Sequence, residues 1–158
     1  MLQITTPRKP QEWDAVRDIL REYAATLNVD LCFQGLDDEL VALPGQYARP
    51  RGALVNAMAD NRLAGCCALR PLDNVDYSNA CEMKRLFVRP QFRVMGIGRM
   101  LAEALLDAAC QAGYACVLLD TVGDMETARA LYRDLGFEEI PPYHHNPIAG
   151  SHYLKVKV

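Results

Sequence analysis

The chain has 158 residues, 51% hydrophobic and 23% charged, close to ordinary globular usage, which excludes disorder, collagen-like repetition and coiled coil as descriptions of the whole. Lys and Arg number 17 against 20 Asp and Glu, and the resulting charge of −3 supplies no overall attraction to nucleic acid or to an anionic membrane. The length suits one domain over residues 1–158, large enough to bury a core without staples.

In chain order, the first predicted helix runs from Pro10 to Leu27, where Trp13, Val16, Ile19, Leu20, Tyr23 and Leu27 share one face and Pro10 suits a helix start. A polar, proline-containing segment, Asn28 to Gly52, follows, with a short helical stretch over Asp37–Leu43. Ala53–Ala59 and Leu63–Leu69 read as strands of a hairpin around Asp60-Asn61-Arg62. A loop, Pro71–Asn79, leads to a strand over Ala80–Val88 that Arg89-Pro90 ends. A helix is predicted from Gly98 to Ala112, closed by Gly113, then a strand at Cys116–Asp120. A helix over Met125–Leu135 stops at Gly136, and Tyr153–Val158 alternates as a last strand. The order is that of a mixed α/β domain.

The longest mostly apolar stretch, Met100–Leu119, is broken by Glu103, Asp107, Gln111 and Gly113, so no membrane span is expected. The N-terminal residues reverse the charge order of a secretory signal, and a cytoplasmic location follows as the expectation. Six cysteines, Cys32, Cys66, Cys67, Cys81, Cys110 and Cys116, sit mostly within apolar runs and read as small buried hydrophobes rather than disulfide partners.

The segment Arg93-Val94-Met95-Gly96-Ile97-Gly98 lies between a strand and a helix, where glycines allow a tight turn and free helix-start amides favour a phosphate. It lacks the G-x-x-x-x-G-K-[ST] run of a Walker A loop. It also fails the G-x-G-x-x-G dinucleotide fingerprint, because Leu101 stands at the third glycine. The segment resembles the [Q/R]-x-x-G-x-[G/A] signature of the GNAT superfamily of N-acetyltransferases. Met83-Lys84-Arg85-Leu86-Phe87-Val88-Arg89-Pro90 looks like that family's preceding strand, and Ala128-x-x-Leu131-Tyr132-x-x-Leu135-Gly136-Phe137 like its second signature.

The resemblance, strongest over Leu63–Phe137, implies an α+β fold. Its central mixed, mostly antiparallel, twisted sheet has about six or seven strands flanked by helices, with a splay between two parallel central strands. It implies acetyl-CoA as acyl donor, with the backbone of Arg93, Val94, Met95, Gly96, Ile97, Gly98 and Arg99 around the pyrophosphate and the main chain of Phe87 and Val88 along the pantetheine arm. Tyr132 matches the family tyrosine that protonates the departing thiolate; the plainer reading is a core tyrosine beside Ala128 and Leu131. An asparagine that many members carry seven residues earlier is replaced here by Met125.

An aliphatic ammonium is only about one part in a thousand neutral at pH 7, so attack on a thioester needs a proton acceptor. Glu82, at the start of the strand entering the site, matches the position of a family carboxylate. Direct transfer to a carboxylate is uphill by about 8 kcal/mol, so Glu82 needs a raised pKa or a water relay. Its plainer reading is a salt bridge to Lys84 or Arg85. His144 and His145 are the other candidate bases, with solvated surface as their alternative.

The spacing of His152 and the cysteines gives no H-E-x-x-H or C-x-x-C, so no metal is expected. Neither Ser78 nor Ser151 lies in G-x-S-x-G, so a serine hydrolase is not expected either. Acceptor specificity is assigned to Cys32–Tyr47 and Tyr143–Asn146, while the acidic run Asp37-Asp38-Glu39 suits a helix N-terminus as well as it suits a cationic amine. The acceptor is a small amine or amino-acid-like molecule, with a protein N-terminus or lysine as the alternative. A non-catalytic acyl-CoA binding module is the competing function, and a homodimer is left open by the resemblance.

Overall fold

Val16, Ile19 and Leu20 recur at helical spacing and form the fully buried stripe of α1 (Pro10–Thr26). The computed structural model describes residues 1–26, 35–121, 126–144 and 151–158. Within them seven strands form one sheet: β1 (Leu2–Thr5), β2 (Ala53–Ala59), β3 (Arg62–Leu72), β4 (Ala80–Val88), β5 (Cys116–Thr121), β6 (Glu138–Ile140) and β7 (His152–Lys157). Their order is β1-β2-β3-β4-β5-β7-β6, and all neighbours are antiparallel except β4 and β5.

Each face of the sheet is covered. On one, α1 and α2 (Leu36–Ala42) pack with Tyr47 against Leu54, Cys66, Ala68 and Phe87. On the other, α3 (Ile97–Gln111) buries Ile97, Leu101, Leu105 and Ala109 over Val55, Ala57, Cys67 and Leu69, and α4 (Glu126–Asp134) adds Tyr132. The two-residue turn of the β2–β3 hairpin has φ of 48° at Asp60 and 67° at Asn61, the pair of positive values that a type I′ turn requires.

β3 runs beyond the expected Leu69 through Pro71 and Leu72, which pair with Cys81 and Ala80. Proline is tolerated because β2 ends its pairing at Leu69, leaving Pro71 at a sheet edge where no partner asks for its missing N–H. β6 had no signal: it is three residues long, and exposed Glu138 and Glu139 show no apolar alternation. Among the described residues no helix is long and apolar enough to cross a membrane. Cys66, Cys67, Cys81 and Cys116 are buried free thiols, and burial pushes those of Cys66 and Cys81 up to about 12; Cys110 departs from the expectation by being exposed, and Cys32 lies outside the described residues.

One irregularity opens the sheet. Cys66 pairs with Phe87 and Ala68 with Lys84, so β4 uses one residue more than β3 between these pairs, and Arg85 in the bulge has φ of 62°. The bulge shifts the strand's phase: Cys81 and Met83 belong to the α3 face before it, Leu86 and Val88 after it. The parallel pairing of β4 with β5 covers only Ala80–Glu82 opposite Cys116–Leu118. From Met83 onward the two strands have no pairing with each other, which is the expected splay.

Candidate active site

The splay forms a cleft lined by Met83, Lys84, Arg85 and Leu86 on one side and Leu119, Asp120 and Thr121 on the other, with Tyr23, Ala128 and Tyr132. Burial pushes the Tyr132 phenol well above its ordinary range, so it stays protonated at neutral pH. Its ring meets Phe137 edge-on at 5.5 Å, so Tyr132 belongs both to the core and to the cleft wall. Thr121 is 3% exposed and its Oγ1 has no hydrogen-bond partner among the described residues, an orphan that a polar ligand in the cleft would satisfy.

Beyond the end of β4 lies the glycine loop. Gly96 adopts φ of 76° and caps α3 without any side-chain hydrogen bond, leaving the first amides of the helix to a ligand. Ile97 is buried and anchors the turn, and a Cβ on Gly98 would lie 3.8 Å from Leu131 and 4.0 Å from Val88, ordinary contact distances. The left-handed conformation that glycine favours is taken not by Gly98 but by Val94, with φ of 63° and a fully exposed side chain. Arg93 donates through Nε to the Val88 carbonyl at 3.1 Å, tying the loop to the free end of β4, and Arg99 pairs with Asp134 at 3.2 Å. Met95 is exposed at the loop's tip, and Phe87 packs on the opposite face of β4, against Tyr23. The nine predicted donor-site residues thus fall on one continuous stretch from the end of β4 into the first turn of α3.

The second side of the site is built from side chains. Glu82, 1% exposed, accepts from Arg70 Nε at 2.7 Å and from the Tyr143 hydroxyl at 2.6 Å. The expected partners Lys84 and Arg85 do not serve it: Arg85 instead makes a two-pronged bond to Glu39, 3.1 Å at each oxygen. Asp37, Asp38 and Glu39 stand in the first turn of α2, the helix N-terminus expected for them, and Glu39 in addition holds the buried Arg85 cation. His144 Nε2 lies 3.2 Å from Asp120 Oδ2, and ligand-capable atoms of Glu82, Asp120 and His144 lie within 4.8 Å of one another. Each Glu82 oxygen already accepts one hydrogen bond, from Arg70 and from Tyr143, which links β3, β4 and the segment before β7. Burial, then the Glu82 charge, drives the Tyr143 phenol upward, and burial pulls the Lys84 ammonium down.

Glu82 and Tyr132 therefore stand on the splayed strand and across the cleft from it, as their elements predict, and His144 joins Glu82. His152 pairs with Glu139 at 2.7 Å instead. His145, Met125 and Asn146 lie outside the described residues. Sequence reasoning missed Arg70, Asp120 and Thr121 as site residues. Asp120 and Thr121 carried one readable signal, polar residues ending an apolar strand; Arg70 carried none.

A model of the acetyltransferase (GNAT) family matches residues 13–137. The chain is similar to an uncharacterized N-acetyltransferase of Schizosaccharomyces pombe, 33% identical over 99% of this chain and 95% of that one. It is also similar to an IAA acetyltransferase of Azospirillum brasilense, 32% identical over 90% of each. In fold it is similar to yncA of Salmonella typhimurium, solved with its cofactor acetyl-CoA, at a TM-score of 0.77 and 15% identity, covering 99% of this chain and 93% of that one. With the splay, the glycine loop and Tyr132 in place, these likenesses show that the chain belongs to the GNAT family of N-acetyltransferases and is an acyltransferase.

Proposed function

We propose that the protein moves an acetyl group from acetyl-CoA to the primary amine of a small or amino-acid-like acceptor, by direct attack while both substrates are bound. The observation that carries this reading is the cleft between the splayed β4 and β5, lined by Tyr132, Asp120 and Thr121, with the open helix start at Gly96 following β4 in the chain. The amides of residues 94–99 suit the donor's pyrophosphate. The unpaired edge of β4 at Phe87 and Val88, with the orphan hydroxyl of Thr121, suits the amides of the pantetheine arm.

In this mechanism Tyr132 gives its proton to the departing sulfur. Glu82 draws the acceptor's ammonium toward the thioester and starts the relay that removes its proton. A pocket next to Glu82, walled by Gln46, Arg70, Asp73, Tyr143 and His144, offers both a cation, Arg70, and a carboxylate, Asp73, which favours an acceptor that is itself zwitterionic. The test is the melting temperature with and without acetyl-CoA, followed by thiol release against amines, amino acids and peptides. A rise in melting temperature with an amine hit supports the proposal and names the acceptor. A rise with no hit replaces it with a binding module, and no rise removes the donor site.

A further inference from the structure

The pocket beside Glu82 contains a cation that is fixed at one edge and open at another. Arg70 lies in the part of β3 that runs on past its pairing with β2. Its Nε donates to Glu82 Oε1 at 2.7 Å and its Nη1 to Gln46 Oε1 at 3.2 Å, while Nη2 has no partner among the described residues. Glu82 is fully buried, so the bond to Nε pins the guanidinium instead of leaving it to sweep through solvent. Gln46, in the helical turn Gly45–Tyr47, must meet Arg70 with its oxygen, because a guanidinium only donates. Its Nε2 is then a further donor without a partner among the described residues, tied to Arg70 through that bond. A pair of unused N–H donors, one of them charged, matches the oxygens of a carboxylate. From this geometry we infer that Arg70 and Gln46 hold the carboxylate of the acceptor, and that the substrate class is a free amino acid rather than a simple amine or the N-terminus of a peptide.

The surroundings agree. Both residues line one cavity of about 320 Å³, in which Leu72, Val75 and the Tyr143 ring offer apolar surface to a carbon skeleton. Asp73, the carboxylate of the same rim, is already spanned by Arg51 at 2.6 and 3.2 Å and so does not compete for the free edge of Arg70. The Arg70 side chain is 26% exposed, and an anion brought against it is partly withdrawn from water, which makes the pairing stronger than one at an open surface. The cavity also adjoins the cleft. His144 lines the cavity, Asp120 lines the cleft, and the two meet at 3.2 Å, with Glu82 within 4.8 Å of both. A molecule anchored at Arg70 by its carboxylate can therefore turn its ammonium to the Glu82 side, toward the cleft.

This inference rests on the N-acetyltransferase reading, and one assay separates their failures. Thiol release from acetyl-CoA is measured with amino acids, each paired with its own carboxamide and its decarboxylated amine, and with short peptides. The parent protein should prefer the acid by about 10- to 150-fold in kcat/KM, mostly through KM. Arg70→Lys leaves a charge for Glu82 but no fork, and should lose most of that preference. Gln46→Glu alters an exposed residue, keeps an acceptor for Arg70 Nη1 and sets a like charge against the acceptor's carboxylate. It should reverse the preference, so that the carboxamide is used better than the acid, and it keeps the test open if Arg70→Lys does not fold. An acid preference that survives in either folded variant overturns the inference alone. So does a parent protein that uses the carboxamide, the decarboxylated amine or a peptide as well as the acid. No thiol release with any amine overturns it together with the reading on which it rests.

Discussion

The donor side of the site and the proton side are assembled in opposite ways. The donor side is one continuous run of chain from the end of β4 through the glycine loop into α3, and its working groups are mostly backbone amides and carbonyls. The proton side gathers Arg70 from β3, Glu82 from β4, Asp120 from β5 and Tyr143 and His144 from the segment before β7, and everything there is side chain. Contiguous backbone sites tolerate changes of side chain but not of backbone shape. Dispersed side-chain sites do the reverse, and mutations can test this contrast.

The largest effect is expected at the boundary between the two. Tyr132→Phe should lower kcat by about 100- to 10,000-fold with the dissociation constant for acetyl-CoA unchanged, measured by steady-state kinetics and calorimetric titration. Equal loss of both would make Tyr132 a packing residue. Next, on the proton side, Arg70→Met leaves Glu82 buried without its cation and should cost about 3 kcal/mol of stability in urea unfolding. An unchanged midpoint would mean that Tyr143 alone suffices to hold the charge.

On the donor side backbone shape is what matters. A Cβ at Gly65 would sit 2.7 Å from the Phe87 carbonyl, so Gly65→Ala must push β3 away from β4 at the bulge and should cost about 2 kcal/mol. Gly98→Ala, which meets only side chains at ordinary distances, should stay within about 0.5 kcal/mol and keep its activity. The smallest and opposite effect is expected at Val94. Replacing this branched residue, held at φ of 63°, by glycine should stabilise by about 1 kcal/mol, a rise of about 2–4 °C in melting temperature, with donor affinity equal or tighter. A fall would show that the exposed valine side chain is itself used.

The same contrast explains what could be read in advance. The loop was legible because its constraint is local: Gly96 must be in the left-handed region and Ile97 must anchor, both within one short span. The fold was legible for a related reason, since Val16, Ile19 and Leu20 or Leu101 and Leu105 repeat at the spacing of the helices that bury them. Arg70 was not, because nothing near it in the chain says that β3 continues past Leu69 and carries its guanidinium to Glu82 on the next strand. Proximity in sequence offers Lys84 or Arg85 as the plainer partner of Glu82. The bulge makes that untrue, because a one-residue shift of phase sends the guanidinium to Glu39 on α2.

The residues that carry Tyr143 and His144 belong to the connection between β6 and β7, the hairpin at the far edge of the sheet. β7 pairs with β5 along its whole length while β6 contributes only three residues, so this connection is hung from an edge that bears little of the core. Its length and composition can therefore drift during evolution without disturbing the glycine loop or the splay. A lineage that kept the acyl donor fixed could reshape one wall of the acceptor pocket by replacing Tyr143 and His144.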